Sequence, residues 1–173
     1  DVVNITDVGH LASDEDEGED KVARAARESG KDPADVARHF EELYWGDLER
    51  LNIVPPKYRP RATEHIAEQI DFIRTLETRG LTYATDDGVY FDTTKLTAYG
   101  KLSRQPLESK EAGARVAVRG GKRNPRDFAL WKFLIGEHES HAMRWESPWG
   151  AGFPGWHIEC SAMGRRYLGD TID

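Results

Sequence analysis

Apolar side chains recur along this chain in two rhythms, and the changes of rhythm mark its elements. Val2-Val3-Asn4-Ile5 reads as a short buried strand running into a polar turn at Thr6-Asp7. Residues 19–29 suit a short helix, with acidic side chains at its start and Gly30 just past its end. Asp32-Pro33 offers an N-cap followed by a proline at the first helical position, where a missing N–H costs nothing. Val36, Phe40, Leu43, Tyr44, Leu48 and Leu51 follow at the spacing of one apolar helix face. Three prolines between Val54 and Pro60 forbid a helix there and predict extended chain.

Thr63 is placed to cap a further helix whose face is Ile66, Ile70, Ile73 and Leu76, with Gly80 as its stop. Leu81–Ala84 and Val89–Phe91 flank Asp87-Gly88, a hairpin signal. Residues 100–126 are rich in glycine and basic side chains and read as irregular. Phe128–Trp131 suits a buried strand or a helical turn, since periodicity cannot separate the two in so short a run. Three glycines and two prolines make 145–155 a loop, and Trp156–Leu168 predicts a last helix ended by Gly169. Strands alternating with helices, without an internal repeat, point to an α/β or α+β layer structure.

At 173 residues, with 38% hydrophobic and 32% charged side chains, the chain is long enough for one domain, or one domain plus an insertion, with a core of its own. Its single cysteine, Cys160, excludes a disulfide scaffold and suits a reducing compartment, so the expected location is the cytoplasm. No apolar run approaches the ~20 residues of a membrane span and no basic-then-apolar leader precedes the first element, so no membrane partner is expected. The chain starts at Asp1 rather than Met and stops at Asp173 just after a helix-like stretch. It reads as a piece of something longer.

The net charge of −7 conceals an uneven distribution. Residues 1–50 carry six basic and fifteen acidic side chains, whereas 101–132 carry nine basic and three acidic ones. Screening confines each region's field to roughly 8–10 Å, so the basic stretch can meet phosphates even on an acidic protein. Arg119, Lys122 and Arg123 lie within it. A solvated loop that balances the acidic half is the other reading of the same residues.

Several local patterns fail on spacing. The acidic run from Asp14 to Asp20 lacks the sixth-position glycine and twelfth-position glutamate of a calcium loop, since glycine comes fifth and Ala25 twelfth. His138-Glu139-Ser140-His141 is one residue short of the H-E-x-x-H that puts two imidazoles on one helix face, and reads as a loop histidine pair. Gly100-Lys101-Leu102-Ser103 lacks the spacing of a P-loop. In the last helix, Trp156, Cys160, Met163 and Tyr167 share a face. That face is either core, with a buried cysteine, or a thiol and an indole turned toward a cleft by the glycine-rich turn before them.

The run Pro154-Gly155-Trp156-His157-Ile158-Glu159-Cys160-Ser161-Ala162-Met163, preceded by Ser147-Pro148-Trp149-Gly150, resembles the signature of cysteinyl-tRNA synthetases. Asn4-Ile5-Thr6-Asp7, Val89–Asp92, Tyr99–Ser103 and Asp127–Lys132 resemble further stretches of that family in the same order, so the likeness covers essentially the whole chain. It implies an α/β fold, part of a class I synthetase Rossmann-like core interrupted by an α+β insertion. Residues 1–51 would end the first Rossmann half, 52–126 would form the inserted connective domain, and 127–173 would return into the second half. The family activates cysteine with Mg-ATP and esterifies the 3′ end of tRNA(Cys). Its zinc ion binds the substrate thiolate, which suits soft sulfur over the hydroxyl of serine.

The resemblance makes Cys160 one of four zinc ligands and places Thr6 and Trp156 in the cysteine pocket. The family's other ligands and both of its ATP motifs fall outside these 173 residues, so the isolated chain is expected to be inactive. Gly9-His10 departs from the family's commoner acidic pair, which leaves the role of that turn open. Arg119, Lys122 and Arg123 become possible tRNA contacts. Two other readings stand beside this one. A related ligase that joins cysteine to an aminosugar-inositol in mycothiol synthesis has a similar Trp-His-Ile-Glu-Cys helix, and a non-catalytic remnant could bind only RNA or a partner.

Overall fold

The computed structural model describes residues 1–9, 21–101, 121–139 and 141–172. The acidic run 14–20, His10 and Arg119 lie outside the described residues. Helix α1 spans Lys21–Ser29 and α2 spans Pro33–Arg50. Asp32 caps α2 as its type and position predict, its Oδ1 accepting the Ala34 N–H at 2.8 Å. Asn52, at φ 55, is the residue that turns the chain out of α2. The apolar face of α2 is real as a pattern, but only Val36 is buried. Phe40 is 60% exposed, and Leu43, Tyr44 and Leu51 are exposed as well.

The extended chain after α2 makes two parallel bridges with the N-terminal segment, Val2 to Tyr58 and Ile5 to Arg61. The expected buried strand at residues 2–5 is therefore a half-buried pair of bridges. A 3-10 turn, Ala62–His65, then leads into α3, Ile66–Thr78. Thr63 does not cap α3. It lies inside the 3-10 turn, where its N–H (2.9 Å) and hydroxyl (2.6 Å) donate to the Asp7 carboxylate. The acceptor comes from 56 residues away, which no local pattern could announce.

Four antiparallel strands form one sheet in the order β1 (Thr82–Ala84), β2 (Gly88–Phe91), β3 (Phe128–Phe133), β4 (Gly152–Pro154). Phe128–Trp131 is thus strand, and the loop expected over 145–155 contains β4. Gly88 has no positive φ. It is glycine because a Cβ there would strike the Trp131 carbonyl of β3. A bulge between β2 and β3 pairs Val89 with Trp131 but Tyr90 with Ala129. The extra residue lets the consecutive Leu130 and Trp131 both enter one core.

The last helix, α4, spans Trp156–Leu168, and Gly169 ends it at φ 95. The main core lies between one face of the sheet and helices α3 and α4, built from Ile66, Ile73, Val89, Phe91, Leu130, Trp131 and Ile158. A second cluster, Val8, Ala62, Phe153 and Met163, binds the N-terminal segment to the corner between β4 and α4. Tyr83, Tyr90 and Ala129 form a third on the sheet. The result is a mixed α/β arrangement in keeping with the expected fold class, its described sheet antiparallel throughout.

Candidate functional site

Gly155 sets the entry to α4. Its N–H donates to the Leu130 carbonyl at 3.0 Å, and a Cβ at this position would overlap the Ala129 carbonyl. Only glycine lets the helix start this close to β3. The pattern of burial along α4 then separates the residues that the spacing grouped. Met163 is fully buried, whereas Cys160 is exposed and Trp156 is 55% exposed. The reading of this face as core with a buried cysteine is therefore wrong at its N-terminal half. Thiol and indole stand one turn apart on the open side of the helix. His157 stacks with Trp156 (centroids 6.2 Å, 21°) and meets Phe128 edge-on at 4.7 Å. Glu159 points inward and is fully buried.

Tyr167, the last member of the stripe, turns to the 3-10 segment. Its hydroxyl donates to His65 Nε2 at 2.9 Å, because His65 Nδ1–H is committed to the Arg61 carbonyl at 2.6 Å. Arg61 in turn pairs with Glu41 of α2 at 2.8 Å. Burial would raise the Glu41 carboxyl, but hydrogen bonds from Arg61 and Trp45 outweigh it and hold the group below its usual range. A polar cleft of about 450 Å3 opens between Asp7, Asp32, Arg38, Glu41, Arg61 and Trp145.

Thr6 is exposed and faces a more apolar groove of about 540 Å3, shared with Val22, Val36, Phe40 and Tyr44. Its neighbours are fixed: Asp7 by Thr63, Val8 by the cluster with Phe153 and Met163, and Gly9 by His141, whose Nε2 lies 3.0 Å from the Gly9 carbonyl. Segment 1–9 and the N-terminal end of α4 are thus joined through β4. The histidine pair is no metal motif. His138 and His141 are both buried, and both rings pack on Phe153. Among the described residues no group of three or more His, Cys, Asp or Glu is placed to hold a metal ion.

The basic stretch divides. Lys132 is buried, its Nζ 3.2 Å from Asp87 and 2.7 Å from the Tyr90 hydroxyl, so it serves the sheet. Arg123 is exposed and its guanidinium lies 4.3 Å from the centre of the Tyr83 ring. Lys122 lies 5.9 Å from the centre of Tyr90, which stacks with Tyr83 at 5.9 Å. Sequence reasoning missed the group beneath them. Asp127, fully buried, accepts from the Tyr83 hydroxyl (2.7 Å), the Thr93 N–H (2.9 Å) and hydroxyl (2.7 Å), and the Asn124 N–H (3.1 Å). Burial is the main cause that pushes Tyr83 up to about 12. Tyr83 and Thr93 lie 44 and 34 residues away from Asp127, so only a buried acid beside a strand was there to read.

Known proteins resemble this chain along its whole length. The tRNA synthetases class I (C) catalytic domain matches residues 2–173. Over 172 residues the chain is 54% identical to Cysteine--tRNA ligase 1 of Burkholderia lata, covering 99% of this chain and 36% of that protein. It is 51% identical to the Cysteine--tRNA ligases of Chlorobium luteolum and Deinococcus radiodurans, again over 99% of this chain but 35% and 34% of theirs. The chain spans about a third of the length of these relatives. With the family match running from Val2 to Asp173, this chain belongs to the class I tRNA synthetases, in the catalytic domain of their (C) group.

Proposed function

We propose that this chain is part of a cysteine–tRNA ligase, which joins the cysteine carboxylate to the α-phosphate of Mg-ATP, releases pyrophosphate, and passes the aminoacyl group to the 3′ end of tRNA(Cys). The observation that carries the reading is the exposed thiol of Cys160 one turn from the exposed indole of Trp156, at a helix start set by Gly155. Cys160 fits one corner of a zinc site, an accessible sulfur donor, and the remaining ligands would come from outside the described residues. Zinc, when bound, favours sulfur over the hydroxyl of serine. Trp156 and Thr6 would line the amino-acid pocket, and Lys122 and Arg123, with Arg119, would meet tRNA phosphates.

The reading keeps the division into 1–51, 52–126 and 127–173, although β2 and β3 of one sheet lie on either side of its second boundary. A cytoplasmic location accords with the free thiol, and no described helix is long and apolar enough to cross a membrane. The full-length protein is expected to catalyse cysteine-dependent pyrophosphate–ATP exchange and to charge tRNA(Cys). The 173-residue chain alone, without the family's ATP motifs, is expected to show no exchange. Exchange without tRNA charging, but with transfer of cysteine to an aminosugar-inositol, would replace the reading with the mycothiol-pathway ligase. No exchange by the full-length protein would leave the binding remnant.

A further inference from the structure

The imidazole of His141 touches the chain just after the Thr6 segment and just before the start of α4. Its ring lies flat on Phe153, with centroids 3.9 Å apart and planes 9° apart. Phe153 is three residues before Trp156. The Nε2 of His141 is 3.0 Å from the carbonyl of Gly9, three residues after Thr6. A carbonyl can only accept, so each ring nitrogen donates to its carbonyl when it carries a proton, Nε2 to Gly9 and Nδ1 to Met143. Nδ1 is tied to the main chain of Met143, 2.6 Å from its carbonyl and 3.3 Å from its N–H. The side chain is buried.

Gly9 and His141 are 132 residues apart, so this hydrogen bond closes the two segments on each other. Val8 already packs against Phe153, but apolar packing is non-directional and leaves the segment free to slide. The hydrogen bond adds the direction that packing lacks. We propose that His141 is a positioning residue for the amino-acid pocket, holding the Thr6 turn in register with the β4–α4 corner that presents Trp156. The proposal rests on the cysteine-ligase reading above. It assigns to His141 no contact with substrate.

Three variants of the full-length protein separate positioning from packing. His141→Phe keeps a ring on Phe153 and loses the ties to Gly9 and Met143. His141→Gln can still place an N–H toward Gly9, and His141→Asn is too short to reach it. The measurements are cysteine and ATP dependence of pyrophosphate exchange and amide hydrogen exchange of residues 4–9. Loss of the buried hydrogen bond to Gly9 predicts a rise of roughly five- to tenfold in the KM for cysteine in H141F and H141N. The KM for ATP should stay at the parent value, and residues 4–9 should exchange faster. H141Q should restore both readings. Parent-like cysteine KM in H141F, or equal losses in H141F and H141Q, would overturn the proposal. If H141F does not fold, the contrast between H141N and H141Q decides in the same way. A parent protein that never activates cysteine would overturn the ligase reading instead, while the exchange rates of residues 4–9 would still decide whether His141 clamps them.

Discussion

Cys160 contributes little to packing, because its side chain is exposed on α4 while its neighbours Ile158, Glu159 and Met163 fill the interior. Exposed substitutions of this kind change stability by about 0.5 kcal/mol or less. A serine there would remove the sulfur donor and leave the helix intact. In the full-length protein, Cys160→Ser is therefore expected to lose tightly bound zinc and to raise the KM for cysteine at least about tenfold, with the fold retained. Metal content per protein, measured beside a thermal unfolding curve, checks both halves. Stoichiometric zinc with unchanged cysteine affinity would return Cys160 to an ordinary surface position. Its identity was legible in the sequence, but its exposure was not. An i, i+4, i+7 series states which residues share a face and leaves open what covers that face, and here Met163 is covered while Cys160 is not.

The turn from β1 to β2 is held by charge and hydrogen bonds more than by turn residues. Asp87 accepts from the Thr85 hydroxyl at 2.6 Å and the Tyr90 hydroxyl at 2.7 Å, and Lys132 of β3 pairs with it at 3.2 Å. Burial alone would raise its carboxyl, but these partners prevail and hold it below its ordinary value of 3.8. A carboxyl lowered by folding adds stability above its unfolded value and loses it as pH falls through the folded value. Asp87→Asn should thus unfold more easily than the parent at about pH 5–7, and the gap should close as pH drops below about 3.8. Denaturation midpoints across roughly pH 2.5–7 test this, and a gap independent of pH would assign Asp87 a purely packing role. Asp87-Gly88 did mark the hairpin from sequence. The physical cause differs, since Gly88 is required by the closeness of the Trp131 carbonyl and Asp87 by a lysine 45 residues on. The period of α2 was equally legible, yet the exposure of Phe40 and Leu43 could not be, because periodicity carries no information about what lies opposite.

Across the whole molecule the charge is segregated, with the acidic excess at residues 1–50 and the basic excess at 101–132. Composition made that separation visible, but not the sorting of the basic side chains by the sheet. Lys132 is drawn inside by Asp87, and Arg123 and Lys122 are laid over the Tyr83–Tyr90 pair. Both tyrosines are buried, and their hydroxyls are engaged with Asp127 and Asp87, so this platform does not shift easily. A guanidinium stacked on a ring keeps its N–H edge available to a phosphate and loses less entropy on binding than a free arginine. Each phosphate neutralised by a cation releases counterions and steepens the salt dependence of binding. Replacing Arg119, Lys122 and Arg123 together by glutamine in the full-length protein should therefore weaken tRNA(Cys) binding. The slope of log affinity against log salt should flatten by about 0.7–0.9 for each phosphate that is no longer neutralised. Cysteine activation without tRNA should remain at the parent rate, because Cys160, Trp156 and the His141 clamp are untouched. Parent-like affinity and slope in the triple variant would make this stretch a solvated loop that offsets the acidic half. A fall in tRNA-independent activation would instead show that the cations on Tyr83 and Tyr90 hold the sheet together, and that the phosphate argument fails.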